Sequence, residues 1–135
     1  MKSYIYRRFG LPLIMIAALV AAGCSSRKYD GEWEGATSGG HTLKFTVSGG
    51  SITMTRVEFD ISCERSGMCP GGGLIEEDIG ASVSGNSFST VIDGKATFAG
   101  KFDSETAASG ELNVQVTDPN CGACKGNTTW TAKKL

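Results

Sequence analysis

The side chains with the most chemical reach in this 135-residue sequence are five cysteines, one histidine and a run of three acids. Cys63 and Cys69 form one pair, and Cys121 and Cys124 a second pair far along the chain. Four thiols allow three pairings. Pairing across the two groups closes loops of more than 50 residues and joins the halves of the chain. In an oxidising compartment such a staple contributes about 2–4 kcal/mol. Cross-loop bridges are favoured. Local pairing stays open, although Cys121-Gly122-Ala123-Cys124 would close only a small ring. A Cys₄ zinc site is the competing use: Cys121 and Cys124 have metal-ligand spacing, but the five residues between Cys63 and Cys69 exceed it. A thiol-redox role would need a helix N-terminus to acidify the first cysteine, and a strand-like run follows instead. His41, the one histidine, stands beside Gly39-Gly40 at an expected turn and reads as a solvated turn residue. Glu76-Glu77-Asp78 carries the oxygen ligands calcium prefers, but neighbours on a strand point to opposite faces. No Gly-x-Ser-x-Gly elbow and no phosphate-cradling loop before a helix is present. The expectation is a non-enzymatic protein with no catalytic residues, no metal and no cofactor.

The elements that must carry these residues are strands. Apolar residues alternate with polar ones, and turn signals recur about every ten residues. Eight strands are expected: Asp30–Ala36, His41–Ser48, Ser51–Ile61, one within Leu74–Ser84, Ser87–Ile92, Lys95–Phe102, Ser109–Thr117 and Asn127–Lys134. Leu43, Phe45 and Val47 share one face, as do Ala96, Phe98 and Phe102, and Leu112, Val114 and Val116. Gly49-Gly50 and Asp93-Gly94 are two-residue hairpin signals. In the third strand, Ile52 and Met54 fall on one parity and Val57, Phe59 and Ile61 on the other, so a β-bulge is expected near Thr55–Arg56. The fold class is all-β and antiparallel. An up-and-down barrel, which removes exposed edges, comes first, and a β-sandwich second.

The N-terminus has a different character. Lys2, Arg7 and Arg8 precede an uncharged, almost wholly apolar run from Leu11 to Ala22. Its length and flanks are those of a signal peptide, and it is shorter than the roughly 20 residues needed to span a bilayer. Ala21-Ala22-Gly23-Cys24 resembles the lipobox of bacterial lipoproteins. That resemblance implies cleavage after Gly23 and diacylglycerol on the Cys24 sulfur. Ala21 stands where Leu is usual. Several acyl chains at about 0.8 kcal/mol per buried CH₂ make a stable anchor. Ser25 after the cysteine, rather than Asp, points to the outer membrane in a Gram-negative envelope. The expected division is 1–23 signal peptide, 24–29 lipidated tether and 30–135 β-domain, with the lipid bilayer as partner. From Cys24 on there are 10 basic and 14 acidic residues and no basic run, which disfavours nucleic acid as a partner.

Two further resemblances concern the domain. Gly31-Glu32-Trp33 resembles the Gly-x-Trp on the first strand of lipocalins and avidin-like barrels, where the Trp closes one barrel end. The segments GEWEG (31–35), FTV (45–47), FAGKFDSETAASGEL (98–112) and WTAK (130–133) are similar to small exported bacterial β-domains without an assigned function. The leading expectation is a lipid-anchored binding or structural module of the envelope. A carrier of a small hydrophobic ligand is the alternative, with Trp33, Phe45, Phe98 and Trp130 lining the barrel interior; an envelope enzyme or protease inhibitor is a third.

Overall fold

The computed structural model describes residues 27–65, 67, 69 and 71–135. Gly23, Cys24 and the whole signal-peptide and lipobox expectation lie outside the described residues. After a 3₁₀ turn (Arg27–Tyr29) come nine strands: β1 (Gly31–Thr37), β2 (Thr42–Ser48), β3 (Ser51–Asp60), β4 (Ser62–Cys63), β5 (Gly72–Ser82), β6 (Ser87–Ile92), β7 (Ala96–Phe102), β8 (Ala107–Asp118) and β9 (Gly122–Lys134). They form one antiparallel sheet in the order β5-β3-β2-β1-β9-β8-β7-β6, with β4 added beside β9. The sheet curls into a nearly closed eight-stranded barrel. The expected up-and-down barrel is therefore present, and the sandwich is not.

Closure comes from the two ends of the chain. β1 pairs with β9 from Trp33–Lys134 to Thr37–Trp130. The gap falls between β5 and β6, which are consecutive in sequence yet form the two sheet edges. Gly35 makes the closure close-fitting, since a Cβ there would lie 1.8 Å from the Thr131 carbonyl oxygen. The strand directions define two ends. Arg27 and Leu135 lie at the lower end with the turns at 48–51, 82–87 and 102–107; the upper end holds the turns at 37–42, 92–96 and 118–122 and the segment 60–72. The expected hairpin turns are built as the glycines suggested. Gly49 and Gly50 have φ of 59° and 77°, and Asp93 and Gly94 have 49° and 67°. The Asp30 carboxylate accepts the amides of Gly49 at 3.0 Å and Gly50 at 3.2 Å, fastening the first turn.

Aromatic residues fill the interior. Across the sheet, Phe88 on β6 pairs with Gly100, Gly100 with Gly110, and Gly110 with Trp130. The Trp130 indole lies over both glycines: a Cβ on either would come within 2.5 Å of its Cζ2. Trp130 also stacks on Phe98, with ring centroids 5.3 Å apart, and on Phe88 at 6.1 Å. Tyr29, assigned by sequence to the tether, belongs instead to the core. Its ring stacks on Phe102 at 4.1 Å, and its carbonyl accepts the indole N–H of Trp33 at 2.9 Å.

Two expectations about strands are corrected. The bulge lies at Thr53–Met54 rather than Thr55–Arg56: Phe45 pairs with Thr55 but Val47 with Ile52, so three steps on β3 match two on β2. Met54 is thereby turned out, 52% exposed, and Thr55 turned in. The last strand starts at Gly122, not Asn127, because its pairing with β8 runs on to Asp118. Segment 63–73, expected as loop throughout, contributes to β4, where Cys63 pairs with Cys124.

Gly110→Ala should lower stability by about 1–3 kcal/mol in urea unfolding, because its methyl group meets the Ala99 carbonyl oxygen at 2.0 Å as well as the Trp130 ring. Val91→Thr, on the exposed face of β6, should change it by less than about 0.5 kcal/mol.

Candidate functional site

Trp33, Phe45, Phe98 and Trp130 do meet in the barrel interior, as the sequence suggested. Phe45 lies 5.7 Å from Trp33 and 5.7 Å from Trp130, ring centre to ring centre. Their exposures are 0–2%. These rings pack on one another as part of the hydrophobic core.

The polar chemistry gathers at the upper end instead. Strands β8 and β9 extend there as a hairpin arm beyond their pairing with β7 and β1. The segment after β3 crosses the arm and is stitched to it twice. Cys63 is bonded to Cys124 and Cys69 to Cys121, with sequence separations of 61 and 52. These are the cross-loop disulfides the sequence favoured, and a sulfur in a disulfide is not a thiolate ligand for zinc. Backbone bonds support the stitching, since Glu64 donates to the Ala123 carbonyl at 3.0 Å and Arg65 to the Cys121 carbonyl at 3.1 Å. The Glu64 carboxylate accepts the Ala123 amide in return.

His41 lies at the same end, but it is not free in solvent. Its Nε2 is 2.8 Å from the Asp60 carboxylate, and Gly39 leaves room for that carboxylate to approach. An exposed pair of this kind contributes no more than about 1 kcal/mol. A shallow depression of about 400 Å³ adjoins it, bordered by His41, Glu58, Phe59, Gly72, Gly73 and Leu74. Gly73 has no side chain because the Phe59 ring takes that place, 2.5 Å from where a Cβ would be.

The acidic run divides as strand geometry requires. Glu76 faces out and pairs with Arg56 at 3.0 Å, Asp78 faces out beside Met54, and Glu77 faces inward opposite Thr55. Thr55 is fully buried, and its hydroxyl has no hydrogen-bond partner among the described residues. Glu77 meets Asp93, from the turn after β6. Desolvation, then the Asp93 charge, then a hydrogen bond to Asp93 push the Glu77 carboxyl above its ordinary range. Sequence reasoning missed Asp93 as a partner, because only the path of the chain round the turn at 84–87 brings it level with Glu77. Among the described residues, no three His, Cys, Asp or Glu side chains group as metal ligands.

Compared with protein-family models, curated proteins and solved structures, the chain matches none.

Two measurements follow from this end of the barrel. Replacing Cys69 and Cys121 together by Ser should cost about 2–5 kcal/mol in urea unfolding, because the lost bridge closes a loop of that length in the unfolded chain. Glu77 binds its proton more tightly in the fold than in the unfolded chain. Below the ordinary carboxylate range both states hold the proton; as pH rises through the raised value, the fold must release it beside Asp93 and loses stability. Glu77→Gln should therefore raise the Tm at about pH 7, with the difference shrinking to nothing by about pH 3.5 in a pH series of thermal melts.

Proposed function

We propose that this protein is a lipid-anchored, non-enzymatic binding or structural module of the bacterial cell envelope. The anchor is Cys24, acylated after cleavage behind Gly23 in the lipobox-like Ala21-Ala22-Gly23-Cys24. The observation that carries the reading is the polarity of the barrel. The chain joins the domain at Arg27, at the lower end, a few residues after Cys24. The disulfide-braced arm stands at the opposite end, so an anchored molecule presents that end away from the bilayer. Two long-range disulfides add support, because such bonds persist in exported proteins and seldom in the cytosol. Ser25 favours the outer membrane where the host has one.

A barrel with an aromatic core suits recognition on its outer surface and upper end. The solvent-facing rows of β8 and β9 are mostly polar, with Asn113 hydrogen-bonded to Asn127. The expected molecule thus offers a stable wall and one distinctive end.

Intact-mass measurement of the membrane-extracted chain, with and without reduction, tests the anchor. The expected product begins at Cys24, carries acyl mass, and gains two disulfides' worth of hydrogen on reduction. Cys24→Ala should shift the protein from the membrane to the soluble fraction. An unacylated chain that still sediments with the membrane would refute the proposal.

A further inference from the structure

Among the described residues, one stretch of sheet edge has no strand beside it. β5 pairs with β3 alone and β6 with β7 alone among the described strands. A bridge between Ser84 and Ser87 sets the turn that joins them. Counting up both strands from that bridge brings Ile92, the last residue of β6, level with Ile79. The lower part of β5 therefore runs alongside β6, while Gly72–Asp78 projects past its end with one row of backbone donors and acceptors that has no partner among the described residues. Such an edge is a template for another strand.

Charge is concentrated at the same place. Between Arg56 and Lys95 there are seven acids and three bases, whereas the rest of the chain from Cys24 carries seven of each. From Cys24 on, the net charge of −4 thus comes from this stretch. Of its acids, Glu58 and Glu76 pair with Arg56, and Asp60 with His41. Glu77, Asp78 and Asp93 have no ion-pair partner among the described residues, and the first and last of them face each other. Leu74, outward on the same edge, is 51% exposed.

We propose that the free edge of β5 from Gly72 to Asp78 takes up an extended segment of a partner protein, one carrying Lys or Arg at alternate positions, as an added strand. The backbone supplies the hydrogen bonds, Leu74 an apolar contact on the outward face, and Glu77 with Asp93 the charge selection on the other. A cation brought between Glu77 and Asp93 relieves the repulsion that the fold otherwise tolerates. A second copy is the poorer occupant, because pairing two β5 edges sets these acids against one another. The edge lies in the half of the barrel away from Arg27, where a partner has access to an anchored molecule.

The inference rests on the domain being a binding module, and its test is separate from that of the anchor. A fluorescent eight-residue peptide of alternating Lys and Val is titrated into the detergent-solubilised full chain and followed by anisotropy. Binding is expected, with amide hydrogen-exchange protection appearing over Gly72–Asp78. Affinity should fall at least about tenfold in the Glu77→Gln, Asp93→Asn double variant and weaken with salt. Exchange on the unaltered chain reads the same event should the variant not fold. Equal binding of an alternating Glu and Val peptide would overturn the charge selection, and equal binding of an N-methylated Lys and Val peptide the strand addition. Protection of the same amides by self-association alone would assign the edge to a second copy and overturn the proposal. An acylated chain that ignores the peptide overturns this inference and leaves the anchor standing.

Discussion

The indole of Trp130 and the two glycines beneath it set the terms for the rest of the barrel. An eight-stranded barrel has a lumen just wide enough for side chains to fill. Here Trp33, Phe45, Phe88, Phe98, Phe102 and Trp130 all point into it. Six large rings fit only where neighbouring positions give up volume, and Gly100 and Gly110 do so on adjacent strands in the same row as Trp130 and Phe88. With that row flat, Phe98 can stack on the indole, and Phe45 can reach both tryptophans.

How the sheet closes decides where its vulnerable edge lies. The first and last long strands are buried in the ladder, and the opening falls in mid-chain between β5 and β6. A tight turn joins those two strands, yet the bulge at Thr53–Met54 and a second irregularity between Ile52 and Met54 in the β3–β5 register steer β5 on its own course. Gly80, with φ of 54°, lies on β5 where that second irregularity must be absorbed. Acids then occupy the exposed stretch, which discourages pairing between like copies.

Much of this was readable from the residues, for definable reasons. Where one face is buried and the other wet, as in Leu43, Phe45 and Val47, period-two alternation marks the strand and its inward side together. Gly49-Gly50 and Asp93-Gly94 could be placed because few residues adopt positive φ at both turn positions. The even set of four cysteines similarly implied internal bridges. What escaped had no local signal. The stretch from Gly122 to Asn127 has no apolar alternation, being held by backbone pairing and disulfides, so its strand was invisible. The bulge position depends on the register of two partner strands, which β3 alone does not contain. The four aromatics were seen as inward, but whether inward rings border a void or fill it depends on summed volume, including glycines that in a sequence look only like interruptions. The meeting of Glu77 with Asp93 needed the three-dimensional path of the turn between their strands.

The closure of β1 against β9 also has a mechanical meaning. A chain held at Arg27 pulls along the axis of β1, which is hydrogen-bonded on one side to β2 and on the other to β9. Such a load runs parallel to both strands, so the bonds across the two interfaces must yield together as neighbours slide, instead of opening one at a time like a zip. The Asp30 carboxylate, bonded to the turn between β2 and β3 just where the force arrives, spreads it into the adjoining hairpin. The strand that receives the load is therefore among the hardest in the barrel to peel away, while the disulfide-braced end stays outside its line.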